Sequence, residues 1–268
     1  MRRSIESIRE AVDDALDRGD ADEALRLARE SHRRQPDAEG CYLLGAALVA
    51  VGEDDRAVEA LHAAVELDPD HVDAYVALAD HAIAGLDFDA GRLLVATALR
   101  VDPVHPVARR LRAGLRERAG DEAGAARDYM TAALADPDAY PMPVALDDET
   151  IERVTESVLE AMHPSLRAYL ANVPILVDEF PDDDVLVDLL DAHPFELLGC
   201  FTGRAIHERG GGDAWSALPP TITLYRLNLS RLAHDEEELE RELRITLLHE
   251  IGHYLGLDEE DLAERGLD

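Results

Sequence analysis

The pattern of hydrophobic and polar positions divides the chain into a helical first part and a mixed second part. Up to about residue 139, charged and apolar residues follow the period of helices, as in the opening segment MRRSIESIREAVDDALDRGD. In the second part, a helix is predicted over about residues 147–162. Short alternating runs then predict strands at residues 173–180, 197–202 and 221–227. The pattern therefore predicts an all-α domain followed by a small α+β domain.

Prolines recur at nearly constant spacing in the first part, at Pro36, Pro69, Pro103 and Pro137. They are separated by 33, 34 and 34 residues, and small residues such as Gly45 and Gly91 recur between them. This arrangement resembles tetratricopeptide repeats, in which each repeat is a pair of helices. The resemblance covers about residues 2–139 and predicts a repeat solenoid as the domain of residues 1–140.

A solenoid of this kind implies a protein partner. Stacked helix pairs form a curved surface whose concave side commonly holds a peptide segment of another protein. We therefore expect a protein partner on the repeat surface. Packing of the solenoid against the second domain and self-association are the alternatives, since the fold is compatible with all three.

The segment LRITLLHEIGHYLGLDEED near the C-terminus predicts a helix that carries a metal clamp. Leucine and isoleucine repeat every four residues and give this helix an apolar face to bury. His249 and His253 lie one turn apart on the helix, so both imidazoles can reach the same zinc ion. Glu250 lies about 100° around the helix from His249, beside the metal, where it can take a proton from an activated water.

A third zinc ligand is expected just after this helix. Gly256 is placed to end the helix in a left-handed conformation, and an acidic run follows at residues 258–261. Catalytic zinc sites have three protein ligands and one water. The spacing of the extended motif H-E-x-x-H-x-x-G-x-x-H selects Glu259, with Asp258 as the alternative. Outside candidates are His193, His207 and His234, each more typical of a surface or partly buried histidine.

The segment HEIGHYLGLDEEDLAERGL resembles the C-terminal signature of the minimal zincin-like metallopeptidases, a family of small bacterial domains. LLGCFTGRAI and LPPTITLYR resemble the family's strands, so the resemblance covers about residues 146–268. It implies a zinc ion held by His249, His253 and an acidic ligand at Glu259, with Glu250 as the general base. The family often has another histidine where this chain has Tyr254.

The resemblance favours a zinc-dependent peptidase whose repeat domain binds a protein or peptide. The alternative is a non-catalytic repeat adaptor with a structural or vestigial zinc site. In zincins a strand beside the metal helix offers its edge to an extended substrate, and residues 221–227 are the candidate here unless that strand is committed to the sheet core. For the group that stabilises the oxyanion, the candidates are Tyr225, Arg226 and His207.

Charge narrows the range of partners. The chain has a net charge of −32, with 58 acidic residues, 26 arginines and no lysine. Nucleic acid is therefore not expected as a partner, because binding it depends on clustered cations. One basic cluster, from Arg109 to Arg118, is expected to be a solvated helix face. The acidity favours basic peptides as substrates or partners.

Targeting signals and disulfides are not expected either. Cys41 and Cys200 lie in different predicted domains without metal-ligand spacing, so a disulfide framework is not predicted. The opening segment lacks the apolar run of a signal peptide, and no segment has the roughly 20 apolar residues that cross a membrane. These features predict a cytoplasmic protein that does not bind membranes.

Overall fold

The computed structural model describes residues 4–189, 192–203 and 219–263, apart from the side chain of Glu259. The chain divides into two compact units, Met1–Ala135 and Asp136–Asp268. Among the described residues, no helix is both long enough and apolar enough to cross a membrane. The repeat solenoid followed by a small mixed unit is the architecture that the sequence predicts.

The described part of the first unit consists of four consecutive pairs of antiparallel helices. Their bounds are α1 Ile5–Asp17, α2 Ala21–Arg34, α3 Ala38–Ala50, α4 Asp54–Leu67, α5 Val72–Ala84, α6 Phe88–Val101, α7 Pro106–Arg118 and α8 Glu122–Ala135. Acidic side chains cap several of these helices, as Asp20 does when it accepts a hydrogen bond from the Glu23 amide. The turn within each pair contains one residue with positive φ, which is glycine in three turns and Leu86 in the turn between α5 and α6.

Small residues let the helices of a pair approach closely. A Cβ atom at Gly45 would lie 2.7 Å from Cγ of Leu61, and one at Gly91 would lie 2.7 Å from Cγ1 of Ile83. Leu61 and Ile83 are fully buried, so a larger side chain at either glycine has no free space to enter. The recurrence of small residues in the sequence therefore has a packing cause.

The basic cluster on α7 surrounds a buried acid, which corrects the expectation of a solvated face. Asp128 on α8 is fully buried and forms ion pairs with Arg109, Arg112 and Arg116 at 2.6–2.7 Å. Burial by itself would raise the pKa of Asp128, but the hydrogen bonds from Arg112 and Arg109 outweigh it and lower that pKa. These arginines therefore hold α7 against α8.

The described part of the second unit combines six helices with a three-stranded sheet. The elements are α9 Asp148–Ala161, α10 Pro164–Leu170, β1 Ile175–Asp178, α11 Asp183–Asp188, β2 Gly199–Thr202, β3 Thr221–Tyr225, α12 Arg226–Leu232, α13 Glu236–Leu255 and α14 Glu259–Ala263. The strand order is β1-β3-β2, with β1 parallel and β2 antiparallel to β3. Apolar side chains from α9, α13 and the sheet form the core of this unit.

Side chains of α12 hold the segment that leads into β2. Asn228 is buried, and its Nδ2 donates to the carbonyls of Pro194 and Leu197 at 3.1 and 2.6 Å. Arg231 donates to the Phe195 carbonyl at 3.1 Å. Because a buried amide without partners is costly, these bonds fix the start of β2 relative to the rest of the unit.

Candidate zinc site

Helix α13 positions the two motif histidines. The Asp235 side chain caps its start by accepting from the Glu238 amide at 2.8 Å. Leu243, Leu247 and Ile251 are buried on one face, as their four-residue spacing predicts. The helix ends at Gly256, which adopts a left-handed conformation with φ of 87°. The C-terminal end and the buried face of this helix therefore agree with the sequence pattern.

The structure brings His249 and His253 together. Their Nε2 atoms lie 2.9 Å apart, and the ring centroids are 4.5 Å apart with the planes at 81°. Nδ1 of His253 lies 3.3 Å from the Leu257 carbonyl oxygen, which can only accept a hydrogen bond. A proton on Nδ1 leaves the Nε2 lone pair of neutral His253 available to a metal.

This pair fits a zinc ion. Zinc binds imidazole nitrogen at about 2.0–2.1 Å, so two such ligands at a tetrahedral angle lie about 3.3 Å apart. The observed 2.9 Å between the two Nε2 atoms needs only a small rotation of either ring to reach that separation. The hydrogen bond from His253 to a backbone carbonyl is also the outer-shell contact that orients ligating histidines.

Glu250 lies beside the histidines and packs against the sheet. It is 5% exposed. Gly199 on β2 faces it: a Cβ atom at Gly199 would lie 3.2 Å from Cγ of Glu250 and 2.9 Å from Cγ2 of Thr246. Burial and, second, the Glu250 charge raise the pKa of the neighbouring Cys200 thiol to about 12. The Cys200 thiol is therefore neutral, and glycine at position 199 admits the stem of Glu250.

The chain turns back after Gly256 and begins α14 at Glu259. Leu262 on α14 is fully buried and packs against Gly252, where a Cβ atom would lie 2.4 Å from Cδ2 of Leu262. Asp258 caps the helix: its Oδ1 accepts from the Asp261 amide at 2.9 Å. The Glu259 side chain lies outside the described part of the structure, so its role as a ligand stays a prediction.

Two of the outside candidates have contacts elsewhere in the unit. Nδ1 of His193 accepts from the Phe195 amide, and His234 contacts the Glu238 carboxylate and the Asp138 carbonyl. His207 lies outside the described residues. Among the described residues, no group of three His, Cys, Asp or Glu side chains is placed to hold a metal ion.

Two candidates for stabilising the oxyanion have structural contacts. Arg226 contacts the Leu146 carbonyl and the carboxylates of Asp148 and Glu179. Tyr225 is 2% exposed, and its pKa is raised above the usual value, first by burial and then by nearby Cys200 and acidic groups. Arg226 therefore ties the start of the second unit to β3 and α9.

Tyr254, at the position where the family often has histidine, supports the fold around the site. Its hydroxyl donates to the Tyr169 carbonyl at 3.1 Å, and its ring lies 5.7 Å from that of Phe201. Tyr254 is 8% exposed, so it anchors the end of α13 to α10 and β2. Tyr254, which stands in place of the family's histidine, therefore has a packing role.

The candidate substrate strand is committed to the sheet core, which is the alternative that the sequence leaves open. The strand predicted at residues 221–227 is β3, which ends at Tyr225 and lies in the middle of the sheet with β1 and β2 on its two sides. Both of its edges are already hydrogen-bonded. The strand that packs against α13 at Glu250 is β2, whose second edge is unpaired within the described part of the sheet.

The sequence pattern does not single out Gly199 or Gly252. The only sign at each position is a glycine inside a predicted strand or helix, which often indicates the close approach of another element. Alternation and motif spacing do not reveal which element approaches, because those contacts join residues far apart in the chain.

Comparisons with known proteins match a different family to each part of the chain. A family model described as zincin-like metallopeptidase matches residues 170–267, and one described as tetratricopeptide repeat matches residues 48–115. No curated protein matches the chain.

Solved repeat structures are similar to about half of the chain. A crystal structure of MamA is 20% identical, covers 50% of this chain and 80% of its own, and has a TM-score of 0.41. MamA from Desulfovibrio magneticus RS-1 is 22% identical over 51% of this chain and 78% of its own, with a TM-score of 0.40. YrrB, described as a TPR protein with an unusual peptide-binding site, is 19% identical over 50% of this chain and 70% of its own, with a TM-score of 0.39. The family matches show that the chain carries a zincin-like metallopeptidase domain C-terminal to tetratricopeptide repeats.

Proposed function

We propose that the protein is a zinc-dependent peptidase that hydrolyses peptide bonds. His249, His253 and Glu259 hold the zinc ion, and Glu250 is the general base. The observation that carries the proposal is the 2.9 Å approach of the two Nε2 atoms, with His253 oriented by the Leu257 carbonyl. The capping role of Asp258 supports Glu259 as the third ligand, because the Asp258 carboxylate already has a backbone partner.

The chemistry divides among neighbouring side chains. Zinc, when bound, supplies a Lewis acid that activates water and polarises a peptide carbonyl. Glu250 takes a proton from the attacking water and returns it to the amide nitrogen that leaves. Its burial against Gly199 keeps its carboxylate in one place relative to the histidines. An extended substrate pairs with the outer edge of β2, backbone to backbone.

The repeat unit binds a protein or peptide in this proposal. The acidic surface of the chain favours basic peptides as substrates of the second unit. If the zinc site does not catalyse hydrolysis, the protein serves as an adaptor whose repeats recruit a partner without cutting it.

The general-base role is tested by Glu250→Gln in the zinc-loaded protein. The glutamine keeps the shape of the side chain but cannot accept the proton, so cleavage of a diverse peptide library should fall by about a hundredfold or more. Glu242→Gln, two turns earlier on the same helix and half-buried, is the matched control. Undiminished cleavage by Glu250→Gln would overturn the role, and no cleavage by the wild type would favour the adaptor.

The third ligand is tested by three single substitutions. Glu259→Ala should weaken zinc affinity by at least tenfold, whereas exposed Glu260→Ala should not change it. Asp258→Ser removes the carboxylate but keeps an N-cap, so it separates ligation from capping. Competition with a chromophoric chelator measures all three affinities. A loss with Asp258→Ser, and none with Glu259→Ala, would transfer the assignment to Asp258.

A further inference from the structure

A groove on the first unit concentrates arginine side chains in an otherwise acidic protein. Helices α2 and α4 form its walls and α3 its base, with a cavity volume of about 410 Å³. Its lining consists of Asp22, Leu25, Arg26, Arg29, His32, Arg33, Leu44 and Arg56. We call this surface the arginine groove. Four arginines and a histidine meet one acid there, whereas acids outnumber arginines by 58 to 26 in the whole chain.

The nearby acids neutralise only part of this charge. Arg26 pairs with Glu23 at 2.6 Å, and Glu53 is shared between Arg29, at 3.4 Å, and Arg56. Exposed pairs of this kind contribute about 0–1 kcal/mol each, so carboxylates of a ligand can replace Glu23 or Glu53 at little cost. The intramolecular pairs therefore do not close the groove to an acidic ligand.

Arg33 adds a cation that these acids do not reach. Its Nε donates to the Arg29 carbonyl at 3.1 Å, and within the described residues it has no ion pair. Arg29 and Arg33 are both exposed and lie one turn apart on α2, so their side chains are neighbours on that face. Two neighbouring guanidinium groups on one helix suit planar, bidentate binding of carboxylates.

The base of the groove is apolar. Leu25 is 6% exposed and Leu44 is half-buried, so a side chain lying between the arginine walls would meet leucine at the bottom. A ligand that matches both features has carboxylates with apolar side chains between them. Small apolar contacts of this kind fix the position of a peptide that charge alone would leave free to slide.

We propose that the arginine groove is the docking site for an acidic peptide segment of a partner protein. Carboxylates of the segment bind Arg29 and Arg33, and an apolar side chain between them packs on Leu44. This inference deepens the proposed protein-binding role of the repeats and does not depend on turnover at the zinc site. The groove thereby selects a partner opposite in charge to the basic substrates expected at the second unit.

The test measures fluorescence anisotropy of a labelled peptide of alternating Glu and Leu, with full-length Glu250→Gln as the receptor so that cleavage cannot remove the probe. The double variant Arg29→Glu/Arg33→Glu should weaken binding by at least tenfold. Arg92→Glu/Arg100→Glu is the matched control, because both arginines are exposed on α6, also the second helix of a pair, and the two substitutions change the charge by the same amount. It should bind as the parent does. Circular dichroism confirms that the variants are folded.

Two comparisons decide the outcome. A peptide with Lys in place of Glu should bind at least tenfold more weakly, and added salt should weaken binding of the Glu peptide. Equal binding of both peptides, or unchanged binding by the double variant, would overturn the proposal. Those results would leave the peptidase proposal intact, because its test is loss of cleavage in Glu250→Gln relative to the wild type.

Discussion

Gly252 offers a direct way to perturb the third ligand without touching a metal-binding group. In Gly252→Ala, the new Cβ atom would lie 2.4 Å from Cδ2 of Leu262, whereas packed carbon atoms lie about 3.5–4.0 Å apart. Leu262 is fully buried on α14, so its side chain has to move by about 1 Å or more, and we expect α14 to shift with it because buried side chains are closely packed. Because α14 begins at Glu259, the displacement changes the distance from Glu259 to the histidine pair.

The size of the effect follows from two opposing contributions to stability. Overpacking a core position costs about 1–3 kcal/mol. Alanine is favoured over glycine inside a helix by about 1 kcal/mol. The free energy of unfolding of the zinc-free protein should therefore fall by no more than about 2 kcal/mol. Zinc affinity should fall by tenfold or more, which corresponds to about 1.4 kcal/mol of lost binding free energy.

A second substitution tests the mechanism of that loss. Leu262→Ala in the Gly252→Ala background removes the clashing side chain, so zinc affinity should recover relative to Gly252→Ala. Chelator competition gives the affinities of the wild type, both single variants and the double variant, and the cycle yields the coupling between the two positions. Wild-type zinc affinity in Gly252→Ala, with Leu262 unmoved in its crystal structure, would refute the reasoning.

Four further substitutions test other features of the two units. Gly199→Ala places a Cβ atom against Glu250, so turnover should fall by about tenfold while zinc content stays constant, as measured by paired cleavage and metal assays. Asp128→Asn leaves three partly buried arginines without their shared carboxylate and should lower the free energy of unfolding at pH 7 by about 1–3 kcal/mol in urea titrations. Leu86 has φ of 62°, so Leu86→Gly should raise the free energy of unfolding by about 0.5 kcal/mol, whereas Gly52→Ala in the equivalent turn should lower it by about 1 kcal/mol.

The Asp128 prediction also has a pH dependence. The pKa of Asp128 is lowered in the folded state, so its contribution is present above the unfolded value of about 3.9 and is lost as pH falls through the folded pKa. The difference between wild type and Asp128→Asn should therefore shrink below that pH. A constant difference across the acid range would contradict the ion-pair account. Unchanged turnover in Gly199→Ala would contradict the proposed effect on Glu250. A lower free energy of unfolding in Leu86→Gly would contradict the proposed cost of the positive φ at Leu86.

Periodicity predicted the elements that depend on local sequence. The helix at residues 147–162 corresponds to α9, and α13 ends at Gly256 as expected. The predicted strands coincide with β1, β2 and β3, although each is shorter than its alternating run. These features follow from the periodicity of apolar residues and from the residues that end helices, both of which depend only on residues close together in the chain.

Features that depend on distant residues could not be predicted in the same way. Alternation does not specify strand order, so it gave no sign that β3 lies in the middle of the sheet. The basic run on α7 gave no sign of Asp128, which lies on the following helix. At the candidate site, the four-residue spacing predicted that His249 and His253 lie together, because one helix carries both. The spacing did not decide whether Glu259 or Asp258 is the third ligand, because both residues follow the same turn.

In the proposed site, His249 and His253 hold zinc, whereas Glu250, between them in sequence, does not. Zinc content per chain, measured on the wild type, His253→Ala and Glu250→Gln after identical purification, tests this arrangement. We expect about one zinc in the wild type and in Glu250→Gln, and almost none in His253→Ala. Wild-type zinc content in His253→Ala would contradict it.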